Sequence, residues 1–217
     1  MVSPMLARFV FPAFLALCAA APRAGAHPHV FVDVGLRFET DAGGAVTAVE
    51  VTWAYDALFT LLILSDYGLD GDADMVLTGA ERARLKGFDL TDWPEGFEGA
   101  LFLRAPGGEA VTLGPPEALS LRIEGDRLIT RHRRPVAQPV APDGLVVRPY
   151  DPSYYAALTL SGALGLPGGC EGRIDPPDRA AADALVESLG GAGREAVFED
   201  TELGVHYADT LVISCAR

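Results

Sequence analysis

Two histidines flank a proline at His27-Pro28-His29, and the alternating stretch Val30-Phe31-Val32-Asp33 follows them. The motif comes directly after Ala24-Gly25-Ala26, the small-x-small pattern that a signal peptidase reads. Cleavage after Ala26 is therefore expected, and His27 becomes the first mature residue. A free α-amine and the imidazoles of His27 and His29 then share one chain end. Imidazole is the commonest protein ligand for metals, and such nitrogen donors suit nickel, cobalt, copper or zinc better than calcium or magnesium. Pro28 limits the geometry, because it has no N–H to lose and so blocks a square-planar wrap through deprotonated amides. A further donor must come from the fold. His206 is the candidate if its strand lies beside the first, and Asp33 is placed to orient a ligand imidazole. The bland alternative is an ordinary solvated chain end.

A second group of donors is made of oxygen. Asp70, Asp72 and Asp74 take the first, third and fifth positions of an EF-hand loop, Val76 offers the carbonyl at seven, Thr78 stands at nine and Glu81 at twelve. Leu77 fills the loop's apolar position. Met75 departs from the pattern, because the sixth position turns sharply and favours a glycine with positive φ. A methionine there is expected to strain the turn and weaken calcium binding. The other reading of the loop is an acidic, solvated turn between two helices.

Cys18 leaves with the signal, so the mature chain keeps Cys170 and Cys215. Two cysteines in an exported chain usually pair, and a disulfide is expected ahead of a soft metal site.

The elements that position these groups can be read in order. Arg8 and the apolar run from Phe9 to Ala21 form a signal region too short for a membrane span. Leu15-Ala16-Leu17-Cys18 resembles a lipobox, but Leu17 is larger than that motif takes, so no anchor is expected. Removing the first 26 of 217 residues leaves 191, enough for one substantial core. The lost segment carries Arg8 and Arg23 and no acid, which moves the net charge from −13 to −15. That balance argues against nucleic acid or anionic lipid as partner and is compatible with cations.

Val30 to Phe38 and Ala45 to Trp53 alternate with period two around Asp41-Ala42-Gly43-Gly44, which predicts a hairpin. Asp56 caps a short helix through Leu64, and Thr78 with Glu81 forms a capping box for a second helix ending near Gly87. Strand patterns return at Gly99–Arg104, Ala110–Leu113, Leu119–Ile123, Arg127–Arg131 and Leu145–Arg148. Arg131-His132-Arg133-Arg134 is read as a solvated strand end, and Tyr150, Tyr154 and Tyr155 as core packing. Asp175-Pro176-Pro177-Asp178 starts a helix through Leu189, with Ala181, Leu185 and Leu189 on one face. A closing strand from Val205 to Cys215 carries His206.

The expected fold is α+β: one mainly antiparallel, β-sandwich-like domain over 27–217, with an EF-hand-like helix pair inserted at about 56–88 and one helix near the C-terminus. No Gly-rich phosphate loop, Gly-x-Ser-x-Gly elbow or His-Glu-x-x-His motif is present, which favours binding over catalysis.

Five features together resemble the exported bacterial DUF1007 proteins. They are the His27–Asp33 opening, Trp53-Ala54-Tyr55-Asp56, the acidic loop with Leu77-Thr78 and Glu81, Tyr150-Asp151-Pro152-Ser153-Tyr154-Tyr155, and the two late cysteines. The resemblance implies a periplasmic component of an ABC-type transport system, often beside nickel or cobalt permeases, and so a metal permease of the inner membrane as partner. It carries over no catalytic residues, and Met75 stands where that family usually has glycine. Two other functions fit the same residues: a periplasmic binding protein for an organic solute, or a calcium-stabilised structural or interaction module. The mature length is small for a two-lobed solute-binding protein.

Overall fold

The computed structural model describes residues 28–91, 98–189 and 201–216. The expected signal segment and His27 lie outside the described residues.

The fold grows from the first hairpin. β1 (Val30–Thr40) and β2 (Val46–Tyr55) pair antiparallel, with Val34 opposite Trp53, Leu36 opposite Val51 and Phe38 opposite Val49. Period-two patterning sends these apolar side chains to one face, where all are buried. β4 (Glu117–Glu124) and β5 (Arg127–Val140) form the second hairpin, and β5 docks against β2.

Two short strands of this sheet have no signal in the sequence. β7 (Ala156–Thr159) and β8 (Leu164–Gly165) pair with β1 in parallel, completing a six-stranded sheet in the order β4-β5-β2-β1-β7 with β8 also on β1. A four-stranded sheet runs β3 (Leu101–Arg104), β6 (Val146–Pro149), β10 (Thr210–Cys215), β9 (Cys170–Asp175). Leu101, Leu103, Val147, Leu211 and Ile213 from this sheet join Val34, Leu36 and Val51 of the other in one core. The fold is α+β with a sandwich-like pair of open, mainly antiparallel sheets.

Between β2 and β3 stand helices α1 (Ala57–Asp66) and α2 (Gly79–Leu85). The Asp56 side chain accepts the Phe59 N–H as N-cap of α1, and its other oxygen accepts the Phe31 N–H at 2.8 Å. One carboxylate thus starts the helix and ties it to β1. The capping box of Thr78 and Glu81 forms as expected. Leu64, Leu69, Leu77 and Leu85 anchor the helix pair to the core.

α3 (Arg179–Leu189) packs with Tyr154, Ala157, Leu203 and Tyr207 in a separate cluster. Its buried residues are Ala182 and Val186, with Leu185 beside them, whereas Ala181 and Leu189 are exposed. The expected face is therefore displaced by one position.

The closing segment also differs from expectation. Leu203–Tyr207 forms a 3-10 turn, and the strand begins only at Thr210. Gly204 explains the break: a Cβ there would collide with the Asp151 carbonyl, so the turn lies backbone-to-backbone on the 151–152 loop. Among the described residues no helix is long and apolar enough to cross a membrane.

Candidate metal centre

The acidic loop places its donors close together. One carboxylate oxygen from each of Asp70, Asp72 and Asp74 lies within 4.8 Å of the other two. No other group of three His, Cys, Asp or Glu side chains converges this way among the described residues. Oxygen donors at this spacing match a hard divalent cation, calcium above all, and not a nitrogen-seeking transition metal.

The backbone sets the frame. The Asp70 carboxylate accepts the N–H groups of Asp74 and Met75, both at 3.1 Å from Oδ1, and Asp74 Oδ1 accepts the Val76 N–H at 2.7 Å. These bonds curl the loop around its first residue. Met75 takes φ +60°, the left-handed conformation that the sixth position was expected to need. A Cβ makes that conformation unfavourable by about 1–2 kcal/mol. The Met75 side chain packs against the core, which offsets part of that cost.

Glu81 stands apart from the three aspartates. Its Oε1 accepts the Asp70 N–H at 3.0 Å, and its Oε2 accepts the Thr78 N–H at 2.8 Å and the Thr78 hydroxyl at 2.7 Å. The backbone N–H of Thr78 foremost, then its hydroxyl and the Asp70 N–H, hold the Glu81 carboxyl below the usual range. The carboxylate therefore clamps the first loop position to the start of α2. To serve as bidentate ligand it must exchange those hydrogen bonds for the ion. Thr78 is likewise engaged by Glu81, while exposed Val76 keeps its carbonyl at the seventh position.

The nitrogen donors are dispersed. His27 lies outside the described residues. His29 is exposed at the start of β1, where its N–H donates to the Tyr155 carbonyl at 2.9 Å and its ring lies 4.9 Å from the Tyr155 ring. His206 is exposed on the 3-10 turn, and the strand after it belongs to the other sheet, between β6 and β9. The condition under which it would join His29, a closing strand beside β1, is not met. Asp33 gives one oxygen to the Ser161 hydroxyl and the other to Arg127. Burial raises its pKa, but Ser161 and Arg127 outweigh that effect and leave it lowered.

Cys170 and Cys215 form a disulfide, joining opposed positions of β9 and β10. They are accordingly not metal ligands.

One polar group in the core escaped the sequence reading. Thr130, His132 and Arg134 are buried, not solvated, because they alternate in phase with Leu128 and Val136 on the inward face of β5. That phase was the available signal. Asp89 Oδ2 accepts the Tyr55 hydroxyl at 3.0 Å and the Thr130 hydroxyl at 2.6 Å. Burial raises the pKa of Asp89, and burial followed by the Asp89 charge raises that of Tyr55. His132 is 1% exposed, sits edge-on to Trp53 at 4.6 Å, and has no hydrogen-bond partner for either ring nitrogen. Burial first, then Arg134, depresses its pKa to about 3. The tyrosines divide: Tyr154 stacks on Tyr207 at 4.0 Å inside the fold, whereas Tyr155 is exposed.

Comparison with known proteins gives a family and little more. Among solved structures, acetylcholine-binding protein type 1 of Biomphalaria glabrata is 10% identical over 96% of this chain and 97% of that one, with a TM-score of 0.32. The acetylcholine-binding protein of Bulinus truncatus is 9% identical over the same shares, with a TM-score of 0.31. Neither likeness is close enough to support an argument. No curated protein matches. The family model described as "Protein of unknown function (DUF1007)" matches residues 12–215, nearly the whole chain, and the chain belongs to that family.

Proposed function

We propose that this protein is an exported metal-binding accessory of a nickel/cobalt-type transport system, which binds and delivers ions and transforms nothing. Metal binding is supported by one observation above the rest, the convergence of Asp70, Asp72 and Asp74 in a loop whose sixth residue already holds positive φ. In this reading the loop takes calcium and stiffens the α1–α2 pair. The transition metal goes to the mature amino end, to the α-amine, His27 and His29, of which His29 lies beside Tyr155. The place beside an inner-membrane permease rests on the sequence motifs shared with the family. Periplasmic location is supported by the disulfide.

The transition-metal half is tested by calorimetric titration of protein beginning at His27 with nickel, cobalt, copper and zinc. Binding should weaken below about pH 6.5, where imidazoles protonate. It should also weaken in His29→Ala, and when one extra residue precedes His27. No transition-metal binding by the processed protein would refute the transport role while leaving the calcium loop untouched.

A further inference from the structure

We propose that the outer face of α1 is the docking surface for a partner protein, and that the partner offers an apolar groove rimmed by lysine or arginine. The helix Ala57-Leu58-Phe59-Thr60-Leu61-Leu62-Ile63-Leu64-Ser65-Asp66 buries only Thr60 and Leu64. Leu58, Leu61 and Leu62 are exposed by 65%, 55% and 51%. They stand at i, i+3 and i+4, so they line one stripe of the helix, the spacing of anchors in helix-in-groove recognition. Phe31, 55% exposed, lies at the helix start, because its N–H and carbonyl bond the Asp56 side chain and N–H. Scattered exposed apolar residues are normal, whereas several large ones together mark an interaction site.

Charge identifies the occupant. From Asp56 to Ala80 the chain carries five aspartates and no lysine, arginine or histidine. Asp66 follows Leu62 by one turn on the same stripe, and Asp72 and Asp74 are exposed just beyond the helix end. Of the cations on adjoining elements, Arg127 pairs with Asp33, Arg84 and Arg82 are held on the Tyr67 and Leu77 carbonyls of the loop, and Lys86 is exposed at the far end of α2. An acidic border in a chain of net charge −13 repels anionic lipid headgroups. In a symmetric pairing of two copies the same border would face itself. A partner with basic residues around an apolar groove satisfies both the leucines and the aspartates. Such a contact would serve the accessory role proposed above, but it stands on this face alone and does not require that any metal bind.

The test is photocrosslinking in the native host, with p-benzoylphenylalanine placed at Leu61 and, as a comparison, at exposed Leu189 of α3. The expected result is adducts at position 61 to one foreign protein, whose crosslinked peptide, identified by mass spectrometry, is apolar and flanked by lysine or arginine. Yield should fall roughly tenfold with Leu58→Gln and Leu62→Gln together, and again with Asp66→Asn alone. The leucines are exposed, so the double variant should melt close to the parent. Should it unfold, Asp66→Asn carries the decision. Adducts mainly to a second copy or to lipid would overturn the proposal. So would a foreign peptide without basic residues, or a yield at 61 no higher than at 189. Failure of the metal titrations leaves these outcomes unchanged, and the converse also holds.

Discussion

His132 shows how one side chain can make the stability of the whole domain depend on pH. Its folded pKa is depressed to about 3 from the ordinary 6.5, so the unfolded state binds the proton more readily. The stability it allows is fully present above pH 6.5 and is lost as pH falls from there toward 3. At pH 4.5 the loss is about 3 kcal/mol, at roughly 1.4 kcal/mol per pH unit. Denaturant unfolding at pH 7.5 and 4.5 should show that excess loss in the native protein relative to His132→Leu. Equal losses would mean the imidazole is protonated or hydrated in the fold. Asp89 works in the opposite direction, since its raised pKa favours the protonated folded form as pH falls.

Met75 is the other instructive residue. The sequence shows a residue that dislikes positive φ where positive φ is needed, and the fold adopts it regardless at +60°. The strain is therefore built into the fold of the loop itself. What opposes binding is Glu81, whose carboxylate already holds the amides of Asp70 and Thr78.

Among the elements, α2 depends most visibly on its cap. Thr78→Ala removes the acceptor for the Glu81 N–H and one of the donors that hold the Glu81 carboxylate. The expected cost is about 1 kcal/mol, read as a lower urea midpoint at unchanged slope. A change below the error of the midpoint would mean that the helix is held by Leu85 and its core contacts alone. This cap, the Asp56 cap and the first hairpin were legible because each carries a local signal: a polar residue before a helical run, or strict period two. β7 was not, because Ala156-Ala157-Leu158-Thr159 is short, weakly β-prone and defined by parallel pairing to a distant strand. β9 was hidden by its polar, half-exposed sequence at a sheet edge. The 3-10 turn at Leu203 was hidden because Gly204 answers to the Asp151 backbone, a contact no local pattern encodes. The candidate site divides in the same way. The acidic loop is contiguous and readable, whereas a histidine set drawn from both ends of the chain depends on which sheet receives β10, and β10 joins the other one.

For the whole molecule, the disulfide is the longest covalent constraint. It joins residues 45 apart in sequence and closes the outer edge of the four-stranded sheet. Cross-linking a loop of that length stabilises the fold by about 4 kcal/mol in the chain-entropy model. Cys170→Ser with Cys215→Ser should lower the unfolding free energy by that amount, and reductant should lower the native protein to the same level. Two titratable thiols in the native, oxidised protein would contradict the bridge.

Metal binding by the acidic loop is the central claim of the account and the part of it with the most geometry behind it. Calorimetric titration with calcium tests it directly, alongside Asp72→Asn and Glu81→Gln. The account predicts one site with a Kd of about 10⁻⁴ to 10⁻³ M, the range of weak extracellular modules, because Glu81 must release its hydrogen bonds to engage the ion. Asp72→Asn should abolish the heat. No heat at several millimolar calcium, or binding that survives Asp72→Asn unchanged, would contradict it.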